Sequence, residues 1–68
     1  MSTFAKIRSV PHTVSFNNIF GDNIISFHFK NRADFDSILS ELQANKTDYV
    51  DVSHSDMIVS FDDHQLFA

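Results

Sequence analysis

The chain has 68 residues, of which 43% are apolar, with nine acidic against five basic side chains and a formal net charge of −4. That length is one domain, residues 1–68, and that apolar share is too high for a disordered chain. The acidic balance argues against nonspecific nucleic-acid binding, and the absence of cysteine excludes the disulfides that often staple domains this small.

Eight residues are phenylalanine, with one glycine, one proline and no tryptophan. In so small a domain the placement of those rings decides which surfaces form the core and which are left for a partner. The chain opens Met1-Ser2-Thr3, as a complete small gene product would. No basic segment followed by an apolar run marks a secretory signal. The apolar run Met57-Ile58-Val59 is far short of the roughly 20 residues of a membrane span. A soluble protein of the cytoplasm, or of a host's cytoplasm, is therefore expected. The charge is split along the chain. Residues 1–32 carry Lys6, Arg8, Lys30 and Arg32 against Asp22, a net +3. Residues 33–68 carry Lys46 against Asp34, Asp36, Glu41, Asp48, Asp51, Asp56, Asp62 and Asp63, a net −7. Such a dipolar surface can steer association with a partner or with a second copy.

Residues 4–10 alternate and predict a first strand, with Ala5 and Ile7 on one face and Phe4, Lys6 and Arg8 on the other. Pro11 marks its end, because proline cannot donate to a sheet ladder. Residues 13–20 predict a second strand with Val14, Phe16 and Phe20 toward the core, and Asn17-Asn18 suggest a bulge or an early turn. Gly21-Asp22-Asn23 predicts a turn. Residues 24–30 form the best strand pattern, with Ile25, Phe27 and Phe29 on one face and Ser26, His28 and Lys30 on the other. Asn31 then suits a helix N-cap. Phe35, Ile38, Leu39 and Leu42 recur at i, i+3, i+4 and i+7, which predicts a helix from Arg32 to Ala44 with Asn45 as its left-handed terminator. Residues 49–53 and 57–61 predict a closing hairpin, with Val50 and Val52 sharing one face and Met57, Val59 and Phe61 another.

The expected architecture is thus α+β, in the order β-β-β-α-β-β, with one helix on one face of a mainly antiparallel sheet. One helix of this length is about 20 Å long and leaves a sheet face open. Alternation assigns to that open face Phe4, Lys6, Arg8, Ile24, Ser26, His28, Lys30, Tyr49, Asp51, Ile58 and Ser60.

Catalytic chemistry finds little support. His12, His28, His54 and His64 fall at no recurring metal-ligand spacing. Ser53-His54-Ser55-Asp56 has the residue types of a hydrolytic triad, but sequence neighbours do not normally reach triad geometry. No phosphate-cradling glycine loop or nucleophile elbow is present. No catalytic residue, metal or cofactor is assigned, and a small metal-dependent enzyme is the weakest alternative. Phe4, Lys6, Arg8, His28 and Lys30 on an open face offer single-strand nucleic-acid binding as another alternative, without the glycine start of an RRM signature.

The leading expectation is a non-catalytic protein-binding module, a small inhibitor or adaptor that covers a functional surface of its partner. Its size and composition are those of inhibitors that phages and mobile elements direct against host enzymes, nucleic-acid mimics included. The acidic residues Asp48, Asp51, Asp56, Asp62 and Asp63 are the candidate partner-binding edge. Phe4, Lys6, Arg8 and Tyr49, with Leu66 and Phe67 of the apolar tail, are the candidate contacts for a partner or a homodimer.

Overall fold

A computed structural model describes residues 3–63. The chain runs through α1 (Thr3–Ser9), β1 (His12–Ile19), β2 (Asp22–Phe29), α2 (Arg32–Ala44), β3 (Asp51–Ser53) and β4 (Ile58–Asp62). The class is α+β, but the first element is a helix and not a strand. The four strands form one antiparallel sheet in the order β1-β2-β4-β3.

The first helix corrects the strand expected over residues 4–10. A strand places Phe4 and Ile7 on opposite faces, whereas both pack against the core, Ile7 with no exposed surface. Only a helical spacing of i, i+3 brings them to one side. Val10 continues that spacing and packs on the core, and its N–H donates to Ile7 O at 3.3 Å. Pro11 disfavours helical geometry at the residue before it and ends the helix there.

The β1–β2 hairpin is continuous from His12↔Phe29 to Ile19↔Asp22, so Asn17 and Asn18 pair in register and form no bulge. The turn consists of Phe20 and Gly21, at φ 52 and 85, one residue earlier than the expected Gly21-Asp22-Asn23 turn. Positive φ at both central residues is the type I′ geometry that matches strand twist. The expected α2 forms in full. Asn31 caps it, accepting from the Asp34 N–H at 2.9 Å. Its terminator is Lys46 at φ 51 and not Asn45, and the Thr47 N–H closes back to Leu42 O at 2.9 Å. Lys46 therefore supplies the left-handed residue of the C-terminal motif.

Both helices lie on the sheet face that carries Ile25, Phe27, Phe29, Val59 and Phe61. Phe4 meets Phe61 edge-on at 5.1 Å, Phe27 meets Phe61 at 5.8 Å, and Phe35 meets Phe29 at 6.2 Å. Edge and tilted ring pairs at these separations add to burial. The helices are tied to each other by Lys6–Glu41 at 3.6 Å and by Asn45, which donates to Thr3 Oγ1 at 3.0 Å. Among the described residues no helix covers the opposite face.

The helical layer covers β2 and β4 and stops short of β1. By register His12, Val14 and Phe16 share the face of Phe29, Phe27 and Ile25. Yet Val14 and Phe16 are exposed, Phe16 to 75% and Phe20 to 102%. The expected core placement of Val14, Phe16 and Phe20 is thereby corrected. The alternation chose the right face for Val14 and Phe16, and the helices are too few and too short to roof it. Val50 is likewise exposed, while Val52 packs on the core.

Truncating a fully buried ring costs about 3–5 kcal/mol, a large share of the roughly 3–10 kcal/mol expected for a domain this size. Phe61→Ala is expected to lose most of the urea-unfolding free energy. Phe16→Ser, measured at sub-micromolar concentration, is expected to change it by less than about 0.5 kcal/mol. Equal losses from the two variants would contradict the assignment of Phe61 to the core and Phe16 to solvent.

Candidate functional site

Large apolar side chains exposed among the described residues are Val14, Phe16, Ile19, Phe20, Tyr49 and Val50. Four of the six sit on the β1–β2 hairpin, which makes that hairpin the principal apolar surface. Its backbone explains how the surface is presented. The Phe29 N–H donates to Met57 O at 2.9 Å, and the Lys30 N–H donates to Pro11 O at 3.4 Å. Odd positions of β2 therefore bond toward β4 and even positions toward β1. With Thr13↔His28, Ser15↔Ser26 and Asn17↔Ile24 in register, residues 13, 15 and 17 bond to β2. His12, Val14, Phe16 and Asn18 direct their N–H and C=O groups outward.

At the tip, Phe20 combines two unfavourable features. Its ring is wholly exposed, and its backbone is held at φ 52. A bulky residue in the left-handed region is strained by about 1–2 kcal/mol, where Asn or Gly is readily accommodated. Gly21 at φ +85 suits its position; Phe20 does not suit its own. Around the tip lie carboxylates. Asp22 follows the turn, Asp62 pairs with Ile24, and Asn23 donates to Asp63 Oδ2 at 3.3 Å. Asn18 donates to Asn23 Oδ1 at 3.1 Å, extending this polar chain back to β1. A shallow groove of about 470 Å³ between them is lined by Phe16, Asn18, Asn23, Ile25 and Asp63.

The other expected site residues are dispersed. Phe4, Lys6 and Arg8 do not lie on an open sheet face, because they belong to α1. Phe4 packs on Phe61, Lys6 pairs with Glu41, and the Arg8 Nε donates to Phe4 O at 3.3 Å. The basic-aromatic surface that nucleic-acid stacking requires is therefore not assembled with His28 and Lys30. Ile24, Ser26, His28, Asp51, Ile58 and Ser60 do share the face opposite the helices by register, with Ser26 Oγ and Ser60 Oγ 2.8 Å apart, but Ile24 is buried there and not open to solvent as expected. Tyr49 is in the loop before β3, beside a cleft of about 480 Å³ lined by Leu39, Leu42, Lys46, Asp48, Val52 and His54.

The acidic residues do not form one edge. Asp62 and Asp63 stand at the hairpin-tip end of the sheet, and Asp51, opposite Ser60, is close to them. Asp56 is in the β3–β4 turn at the other end, held by Ser53 Oγ at 3.2 Å. Asp48 borders the α2 cleft. The triad-like run is also separated. Asp56 engages Ser53, while the His54 ring stands edge-on to Phe35 at 5.8 Å. Among the described residues no three His, Asp or Glu side chains converge as metal ligands, and no helix is long and apolar enough to cross a membrane. Leu66 and Phe67 lie outside the described residues. Compared with known proteins, the chain matches no family model, no curated protein and no solved structure.

Sequence reasoning placed Phe20 in the core and missed its exposure at the hairpin tip. The available signal was the dipeptide Phe20-Gly21, which stands between strands where Asn-Gly is the usual turn. Phe20→Asn is expected to raise the unfolding free energy by about 1 kcal/mol, since it relieves left-handed strain and buries nothing less. A fall in melting temperature for this variant would show that the Phe20 ring stabilises the fold.

Proposed function

We propose that the chain is a non-catalytic protein-binding module whose recognition element is the tip of the β1–β2 hairpin. The observation that carries this reading is Phe20, wholly exposed and held at φ 52. Neither feature helps the isolated domain, and strain retained at one residue is characteristic of binding and switch sites. An exposed aromatic on a rigid turn loses little side-chain entropy when it enters a pocket, which is why such residues dominate binding energy.

The surroundings support the chemistry of the partner. Asp22, Asp62 and Asp63 rim the tip, so the complementary surface is an apolar pocket bordered by Lys or Arg. Covering such a pocket on another protein is the action of a small inhibitor or adaptor. The cysteine-free composition suits a reducing cytoplasm. Of the expected acidic edge, Asp62 and Asp63 are retained in this proposal as rim residues and Asp51 as their neighbour. Asp48 and Asp56 are not.

Affinity capture from cell lysate, quantified by mass spectrometry, tests this with two variants. Phe20→Asn should reduce recovery of the bound protein more than tenfold while leaving the fold intact by circular dichroism. Reversal of Asp62 and Asp63 to Lys should make the remaining capture weaker and less sensitive to salt, because rim charges act mainly on association. Undiminished capture by Phe20→Asn would remove the hairpin tip as the binding element.

A further inference from the structure

We infer that the free edge of β1 pairs antiparallel with β1 of a second copy of this chain, giving a two-fold dimer built on one continuous eight-stranded sheet. The inference concerns residues 12–18 and not the Phe20 tip, although it rests on the same hairpin that the binding proposal uses.

The two edges of the sheet differ in the features that decide pairing. β3 is three residues long and contains Asp51. Short, charged edges resist strand addition. β1 is eight residues long, has no charged residue and no bulge, and is exposed from Thr13 to Ile19. A long, regular, neutral edge with outward backbone groups is a template for another strand. Because β1 carries no charge, self-pairing places no like charges opposite each other.

The side chains select a register. Only pairings that match outward-bonding residues with one another complete the ladder, so 12, 14, 16 and 18 must meet 12, 14, 16 and 18. A two-fold axis through Ser15 pairs Val14 with Phe16 twice and His12 with Asn18 twice. Apolar then meets apolar and polar meets polar. Moving the axis to Phe16 would set Val14 against Asn18. In the Ser15 register the Ser15 side chains meet on the face opposite the helices, as Ser26 and Ser60 already do at 2.8 Å. Paired residues share a face, so both helical layers lie on one side. Val14 and Phe16 of the two copies then fill the gap that neither copy's helices roof.

The charge distribution fits the same antiparallel arrangement. The hairpin-tip end carries Asp22, Asp62 and Asp63. The opposite end carries Lys30, whose N–H bonds Pro11 O, with Arg8 at the end of α1 and Arg32 at the start of α2, and Asp34 of the first turn of α2 and Asp56 of the β3–β4 turn stand at the same end. Antiparallel pairing brings Asp22 of each copy toward Lys30 of the other, at a separation comparable with the Debye length of about 10 Å at 0.1 M salt. The two Phe20 tips would stand about 34 Å apart, taking ~3.4 Å per residue over five residues in each copy. That spacing presents the recognition element twice.

The chain contains no cysteine, so single-cysteine variants report the register directly. In a non-hydrogen-bonded antiparallel pair the Cα atoms are about 4.5 Å apart, within disulfide range. Ser15→Cys should cross-link to a covalent dimer under mild oxidation at micromolar protein. Asn17→Cys, whose two copies would stand about 14 Å apart, should not, whereas mixed Thr13→Cys and Asn17→Cys proteins should cross-link to each other. Sedimentation of the wild-type chain at tens of micromolar should give a dimer. Val14→Lys/Phe16→Lys should weaken it at least tenfold and keep the circular dichroism of the fold. A wild-type monomer at that concentration, or equal cross-linking of Ser15→Cys and Asn17→Cys, would overturn the inference. The two proposals separate cleanly. Loss of capture in Phe20→Asn with the dimer retained supports both. Capture by a monomer defeats only the dimer, and a dimer that captures nothing defeats only the external partner.

Discussion

The packing of Phe27, Phe29 and Phe61 beneath Phe4, Ile7 and Phe35 is the contact on which the rest of this molecule depends. It holds two short helices over the middle of a four-stranded sheet. A chain of this length buries a limited fraction of its surface, and this one concentrates that burial on β2 and β4. The limited width of the helical layer then dictates what is left uncovered. β1 is hydrogen-bonded into the sheet and carries apolar residues on the helix side, but it lies beyond the roof.

The uncovered strand links stability to function. Exposed apolar groups on a regular edge are a liability for an isolated domain. Here they coincide with a strained aromatic at the hairpin tip and with carboxylates around that tip. Each feature alone has an ordinary explanation in solvation or local turn geometry. Together they support the proposal of one hairpin with two uses: an edge suited to a second copy and a tip suited to an apolar pocket with a basic border. The acidic residues form no single stripe, because Asp56 in the β3–β4 turn and Asp62 at the end of β4 stand at opposite ends of the sheet.

How much of this was legible in the sequence follows from which elements close locally. The helix over Arg32–Ala44 was fully legible, since Asn31 and the spacing of Phe35, Ile38 and Leu42 are local signals. So was β2, whose alternation is unambiguous. Residues 4–10 were not, because seven residues satisfy both periods and only the tertiary burial of Phe4 with Ile7 chooses the helix. The error had a consequence for the site, since it moved Lys6 and Arg8 onto a sheet face and suggested a nucleic-acid surface that does not form. Phe16 illustrates a different limit. Alternation correctly gives its face, but whether a face is covered depends on the reach of helices elsewhere in the chain.

Hydrogen exchange along β1 tests the central claim most directly, namely that this strand has one satisfied edge and one edge reserved for a second copy. In dilute solution the amides of Thr13, Ser15 and Asn17, which bond to β2, should be protected, while those of Val14 and Phe16 exchange rapidly. At tens of micromolar, Val14 and Phe16 should become protected as well, with no comparable change in β3. Rapid exchange of Val14 and Phe16 at every concentration would contradict the account.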